Sequence, residues 1–160
     1  MIRFKNITIK NFLSYGNVPT IVDLDKPGTT MILGEDLDNT ASGTGANGVG
    51  KTAIINALVY AIYDKPLSSI SKDNLVNNIN KKNMEVTLVF EIDKKTYQIT
   101  RTRKTKAGAA GNNVTFMEDG KDITPDSVSN TNALIEKIIG VPFDLFVRIV
   151  TFSATLIPFL

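Results

Sequence analysis

The chain has 160 residues, with 18 Lys and Arg against 16 Asp and Glu, and neither cysteine nor histidine. A net charge of +2 leaves any contact with a polyanion to a local patch rather than to the field of the whole molecule. The missing cysteine excludes disulfides and thiolate metal sites, and the missing histidine removes the commonest general base and metal ligand. Chemistry here must rest on carboxylates, lysine, hydroxyls, backbone amides or an acquired metal. The length fits one domain over residues 1–160. No apolar run reaches the roughly 18 residues of a membrane span, and Met1–Asn6 has no apolar signal core, so an intracellular protein is expected.

In chain order, Ile2 to Phe12 alternates as a strand with a slip near Asn6. Val18 to Leu24 predicts a second strand after a turn at Tyr15-Gly16-Asn17. Thr29 to Leu33 predicts a short strand of the fully buried type. Gly34 to Gly50 is loop, rich in Gly, Asn, Asp, Ser and Thr. A helix is expected from Lys51 to about Tyr63, with Ile54, Ile55, Leu58, Val59 and Ile62 on one face. Ala53, Ala57 and Ala61 make the rest nearly as apolar, so the helix should pack on more than one side.

Ser71 to Ile79 reads as either a short capped helix or a loop. Met84 to Ile92 and Thr96 to Thr102 alternate cleanly, joined by a tight hairpin at Asp93-Lys94-Lys95. Tyr97 and Ile99 should point inward. Asn113 to Met117 predicts a third antiparallel strand, ended by Asp119-Gly120. Thr124-Pro125-Asp126 should start a helix carrying Leu134, Ile135, Ile138 and Ile139, stopped by Gly140. Pro142 should open another through Phe146 and Ile149.

The segment Gly45-Ala46-Asn47-Gly48-Val49-Gly50-Lys51-Thr52 matches the phosphate-binding pattern G-x-x-x-x-G-K-[ST] at every fixed position. The glycines let the backbone turn its N–H groups toward one point, forming an anion nest. The start of the following helix adds its positive end. Lys51 supplies an ammonium for the β- and γ-phosphates of ATP, and the Thr52 hydroxyl is a candidate Mg²⁺ ligand. Gly34 to Thr44 separates the predicted strand from the first motif glycine. It reads as a tolerated surface insertion, or as a flap over the nucleotide or a contact to a partner.

The wider pattern resembles the SbcC/SMC/RecF group of ATPases. Ile7-Thr8-Ile9-Lys10-Asn11-Phe12-Leu13-Ser14-Tyr15 followed by Asn47-Gly48-Val49-Gly50-Lys51-Thr52 is similar to the opening of that group. Tyr97-Gln98-Ile99-Thr100-Arg101-Thr102-Arg103 and Ile139-Gly140-Val141-Pro142-Phe143-Asp144-Leu145-Phe146 favour the SbcC type over RecF. Within it, the insertion before the P-loop and the ending Phe152–Leu160 look most like the large subunits of phage recombination endonucleases.

This resemblance implies an α/β P-loop fold of the ABC/SMC head type, in its amino-terminal lobe, with an antiparallel sheet plus parallel core strands. It implies ATP and Mg²⁺ as cofactors. It also implies a carboxy-terminal lobe beyond a coiled coil, which supplies the Walker B acid and signature motif. A second head copy would close an ATP-dependent dimer, and an SbcD-type nuclease and double-stranded DNA would be partners, in the cytoplasm (the host's, for a phage). ATP hydrolysis is then a property of the full-length protein, and the isolated lobe should be nearly inactive. Leu13 stands where the SbcC type often has a basic residue. Ser153 falls near the Q-loop glutamine and is a candidate Mg²⁺ ligand.

Arg101, Arg103, Lys104 and Lys106 form a basic cluster. Arg101 and Arg103 would share one strand face and, with the loop from Lys104 to Gly111, could touch a DNA backbone; the alternatives are a solvated hairpin face, or an intersubunit or nucleotide contact. Asn77 and Asn78 are candidates for nucleotide contact or simple turn residues. The hydrophobic end at Leu156–Leu160 suggests truncation or a covering partner. Two other readings stay open: a small complete P-loop kinase, and a non-catalytic ATP- or DNA-binding module.

Overall fold

The computed structural model describes residues 1–34, 49–104 and 112–150. Expectations placed on Gly45–Gly48, Lys106, Ser153 and the hydrophobic end lie outside the described residues. Strands β1 (Ile2–Lys10), β2 (Thr20–Asp23), β3 (Met84–Ile92), β4 (Lys95–Arg103), β5 (Asn113–Glu118) and β6 (Lys121–Asp122) form one sheet in the order β2-β1-β3-β4-β5-β6. Helices α1 (Lys51–Tyr63), α2 (Val128–Ile139) and α3 (Phe143–Ile149) complete the described elements, with a 3₁₀ turn at Lys72–Leu75.

Period-2 alternation decides which face of the sheet is buried. Ile7 and Ile9 of β1, Val86, Leu88 and Phe90 of β3, Tyr97 and Ile99 of β4, and Val114 and Phe116 of β5 form the core face with α1 and α2. The other face carries Thr87, Thr100, Glu85 and Glu91, and the Thr87 and Thr100 hydroxyls meet at 3.1 Å. The slip expected near Asn6 is a bulge between Phe4 and Asn6 against β3. The β3–β4 turn puts Asp93 and Lys94 at φ 49° and 70°, the left-handed pair that a two-residue hairpin requires. On the core face the rings of Phe90, Tyr97 and Phe116 stack across three strands, with centroids 5.3 and 5.8 Å apart.

Helix α1 has its predicted bounds and is buried on almost all sides, as its apolar circumference requires. Tyr63 at its end packs edge-on against Phe143 and Phe146 of α3 and donates its hydroxyl proton to the Val141 carbonyl at 2.7 Å. Helix α2 begins later than expected. Ser127 caps it, accepting from Asn130 N at 3.1 Å. Thr124 instead braces β5, its hydroxyl accepting from Phe116 N at 2.8 Å. The segment left open at Ser71–Ile79 is the 3₁₀ turn, capped by Ser71. Among the described residues no helix is long and apolar enough to cross a membrane.

Two expectations are corrected. Thr29–Leu33 is no buried strand: it pairs with no described strand, and Met31 and Leu33 are 80% and 81% exposed. A buried strand needs cover on both faces, and no described element supplies it there. Every pairing in the described sheet is also antiparallel, so the parallel core strands are not among the described residues. The α/β class holds, as helices packed on one face of an antiparallel sheet.

Candidate nucleotide site

The described part of the phosphate-binding motif is Val49–Thr52. Gly50 sits at φ 96° as the N-cap of α1, a conformation that suits glycine. Lacking a side chain, it places no capping group over the first turn of α1, and that turn holds no acidic side chain. An anion would therefore meet N–H donors and the positive end of the helix dipole without carboxylate repulsion.

The cradle is tightly built. A Cβ at Gly50 would stand 3.0 Å from Ser14 Oγ and 3.3 Å from Tyr15 Cε2. One at Gly34 would collide with Val49 Cγ2 and lie 3.5 Å from Lys51 Nζ. Chain entering at Gly34 thus lies against chain leaving at Val49–Lys51. Behind the first turn, the Asn56 amide donates to the Thr52 carbonyl at 3.1 Å and accepts from Leu67 N at 3.3 Å. That buried asparagine ties the first turn of α1 to the segment following the helix.

These residues fit the implied groups. Lys51 and Thr52 open the helix side by side, and the exposed Thr52 offers one hydroxyl to a cation. Among the described residues no group of three or more Asp, Glu, His or Cys could hold a metal ion. A Mg²⁺ here would depend on the nucleotide's own phosphate oxygens and water besides Thr52, the usual condition for this ion.

At the other end of α1 the basic cluster requires a correction. Arg101 and Arg103 do share a face of β4, but it is the core face. Arg101 is 2% exposed. Its Nε donates to the Ala61 carbonyl at 2.7 Å and its Nη2 to the Ile62 carbonyl at 3.2 Å. Burial lowers its pKa, and nearby Asp64 opposes that. Arg101 therefore cannot reach a DNA backbone. Arg103 makes a bidentate contact to Asp73 Oδ1 at 2.9 and 2.7 Å. Lys104 is exposed and, with Lys10, Glu85, Thr102 and Arg103, lines a cleft of about 400 Å³. The inward parity of Tyr97 and Ile99 extends to Arg101, so its burial was legible in the alternation.

Asn77 is buried and makes turn contacts, donating to the Leu13 carbonyl at 2.8 Å and accepting from Ile79 N and Asn80 N. Asn11 and Asn56, both buried, were not singled out in the sequence. A polar amide in an otherwise apolar helix was the available signal for Asn56. Tyr15, whose ring lies beside Gly50, has its pKa raised by burial.

Comparison with known proteins agrees with this architecture. A family model described as AAA domain matches residues 6–155. The chain is 29% identical over 148 residues to exonuclease subunit 2 of Enterobacteria phage T4, covering 92% of this chain and 24% of that protein. It is 31% identical over 113 residues to the SbcC component of the SbcCD nuclease of Deinococcus radiodurans, covering 66% and 12%. With the DNA double-strand break repair Rad50 ATPase of Thermoplasma volcanium it shares 24% identity, over 89% and 14%. The chain thus spans about a quarter or less of the length of these relatives. Among solved structures, one from work on ATP-driven dimerization and DNA-stimulated activation of SMC ATPases superposes with a TM-score of 0.61 at 18% identity, over 95% of this chain and 93% of that one. RecF bound to ATP superposes with a TM-score of 0.51 at 14% identity, over 76% and 28%. The chain belongs to the AAA-domain family of P-loop ATPases, as an amino-terminal head lobe of the SbcC/SMC type found among DNA-repair ATPases.

Proposed function

We propose that this lobe binds Mg-ATP at Gly45–Thr52 and serves as half of an ATPase head in a DNA break repair or recombination machine. The observation that carries this reading is Gly50 at φ 96° opening α1, with Lys51 and Thr52 on its first turn. The backbone N–H groups there and the Lys51 ammonium hold and orient the β- and γ-phosphates. Thr52 gives one ligand to the Mg²⁺, which when bound offsets phosphate charge, and Ser153 is a second candidate. Asn56 keeps the Thr52 turn in register with the segment beyond α1.

Hydrolysis needs groups that this reading assigns to a carboxy-terminal lobe, so the chain alone turns over ATP slowly. Exposed Met31 and Leu33 suit a surface covered by that lobe. A second head closing over the nucleotide, an SbcD-type nuclease partner and double-stranded DNA complete the assembly. Within the basic cluster, DNA phosphates are met by Lys104, with Arg103 and Lys10 from the same cleft; Lys106, outside the described residues, is a further candidate. Backbone charge contacts of this kind give affinity without reading bases.

Equilibrium binding of Mg-ATP to the chain tests the site. Wild type should bind, and Lys51→Ala should weaken binding at least about tenfold, as expected for loss of a charged hydrogen bond. Equal affinity in the two proteins would remove the nucleotide from this loop.

A further inference from the structure

The turn that buttresses the phosphate loop is itself held by buried asparagines. Between β1 and β2 the chain passes Asn11 and Leu13 at φ 49° and 48°. Leucine does not favour the left-handed region, so this turn must be imposed by its surroundings. Asn77, 4% exposed, imposes it. Its backbone N–H donates to the Asn11 carbonyl at 2.8 Å, and its side-chain amide donates to the Leu13 carbonyl at 2.8 Å. Its Oδ1 accepts from Ile79 N at 3.1 Å and Asn80 N at 3.0 Å. Asn80 in turn donates to Asn11 Oδ1 at 2.7 Å. Asn11 is fully buried and donates to Asn17 Oδ1 at 3.1 Å. Leu13 N adds a bond to the Leu75 carbonyl at 2.7 Å.

The far side of this turn is Ser14 and Tyr15, which stand against Gly50 so closely that a Cβ there would meet both. Gly50 immediately precedes Lys51. A chain of direct contacts therefore runs from Asn77 through Leu13 to Ser14 and Tyr15, then to Gly50 and the first turn of α1. We propose that Asn77 is a positioning residue for the nucleotide site, holding the Asn11–Tyr15 turn as the back wall that fixes Gly50 and Lys51. The proposal rests on the reading of Gly45–Thr52 as that site. Asn77 touches no nucleotide in it. It acts through the Leu13 carbonyl.

Two substitutions separate this role from a local one. Asn77→Asp keeps the acceptor for Ile79 N and Asn80 N but loses the donor to Leu13, while Asn77→Ala loses both. Mg-ATP affinity should fall about tenfold in each, the loss expected for a buried carbonyl left unpaired. Amide hydrogen exchange at Gly50–Ala53 should quicken in each without nucleotide. Ile135→Val, a core change on α2, should alter neither readout. If Asn77→Ala does not fold, Ser14→Gly removes the buttress from the exposed side and should also quicken exchange at Gly50–Ala53. Wild-type affinity and unchanged exchange in Asn77→Asp would overturn the proposal. Lack of Lys51-dependent binding in wild type would instead remove the nucleotide reading, while the exchange measurement would still report on the wall.

Discussion

Arg101 Nε donates to the carbonyl oxygen of Ala61 at 2.7 Å, joining the middle of the sheet to the last turn of the helix that opens with Lys51. Carbonyls at a helix end lack intrahelical partners and form the negative end of its dipole. A buried guanidinium is therefore accepted there although desolvation lowers its pKa. Arg101→Met should destabilise the chain by about 3 kcal/mol, since the carbonyls lose their donor in a dry interior. Arg103→Met, which breaks a pair with half-exposed Asp73, should cost under about 1 kcal/mol. Urea unfolding of both variants checks the difference, and equal losses would contradict the assignment of Arg101 to the core.

The proposed DNA binding at the Lys104 cleft has its own signature. Arg103→Ala with Lys104→Ala should lower duplex affinity and reduce the slope of log affinity against log salt by about 1 to 2, one for each phosphate no longer neutralised. Titration at several salt concentrations reads this directly. An unchanged slope would return the cleft to a solvated hairpin end.

Gly34 tests the closure of the phosphate loop. Gly34→Ala places a methyl group into Val49 and near Lys51, so Mg-ATP affinity should fall by about three- to tenfold while thermal stability barely changes. Gly16→Ala adds a methyl group in open space and should bind as wild type does. Equal binding by both variants would show that Gly34 does not constrain Lys51.

Alkaline stability should reflect Tyr60. Burial pushes its pKa up to about 12, above the ordinary tyrosine value of about 10. The folded state therefore favours the neutral phenol, and its contribution is complete below pH 10. It is lost as pH rises from about 10 to 12, amounting to about 3 kcal/mol. Urea unfolding at pH 9 and pH 11 should show the decline, and Tyr60→Phe should make it shallower. An equal decline in Tyr60→Phe would assign the effect elsewhere. Burial raises the Tyr63 pKa too, so a residual slope is expected.

The elements most legible in the sequence were those whose stabilising contacts are local or periodic. Lys51–Tyr63 has an apolar surface of helical period, and Met84–Ile92 alternates against the next strand through a two-residue turn. Both have their expected bounds. Thr29–Leu33 misled because an apolar run predicts burial without naming what covers it. Arg101 misled in the opposite direction, because its charge outweighed a parity that already placed it inward beside Ile99. The Asn11–Asn77 contact joins residues distant in sequence, so no local pattern could display it. Only the structure shows why Asn11 precedes a left-handed turn against Gly50.

In the proposed function this lobe holds the nucleotide but only part of the catalytic machinery. Its most direct test is Mg-ATP turnover by the chain alone and after addition of the carboxy-terminal lobe, with Lys51→Ala as control. The expected result is Lys51-dependent binding by the chain, negligible turnover alone, and turnover that appears with the second lobe and disappears in Lys51→Ala. Robust turnover by the chain alone would contradict it, and would mean that a complete catalytic site lies within these 160 residues.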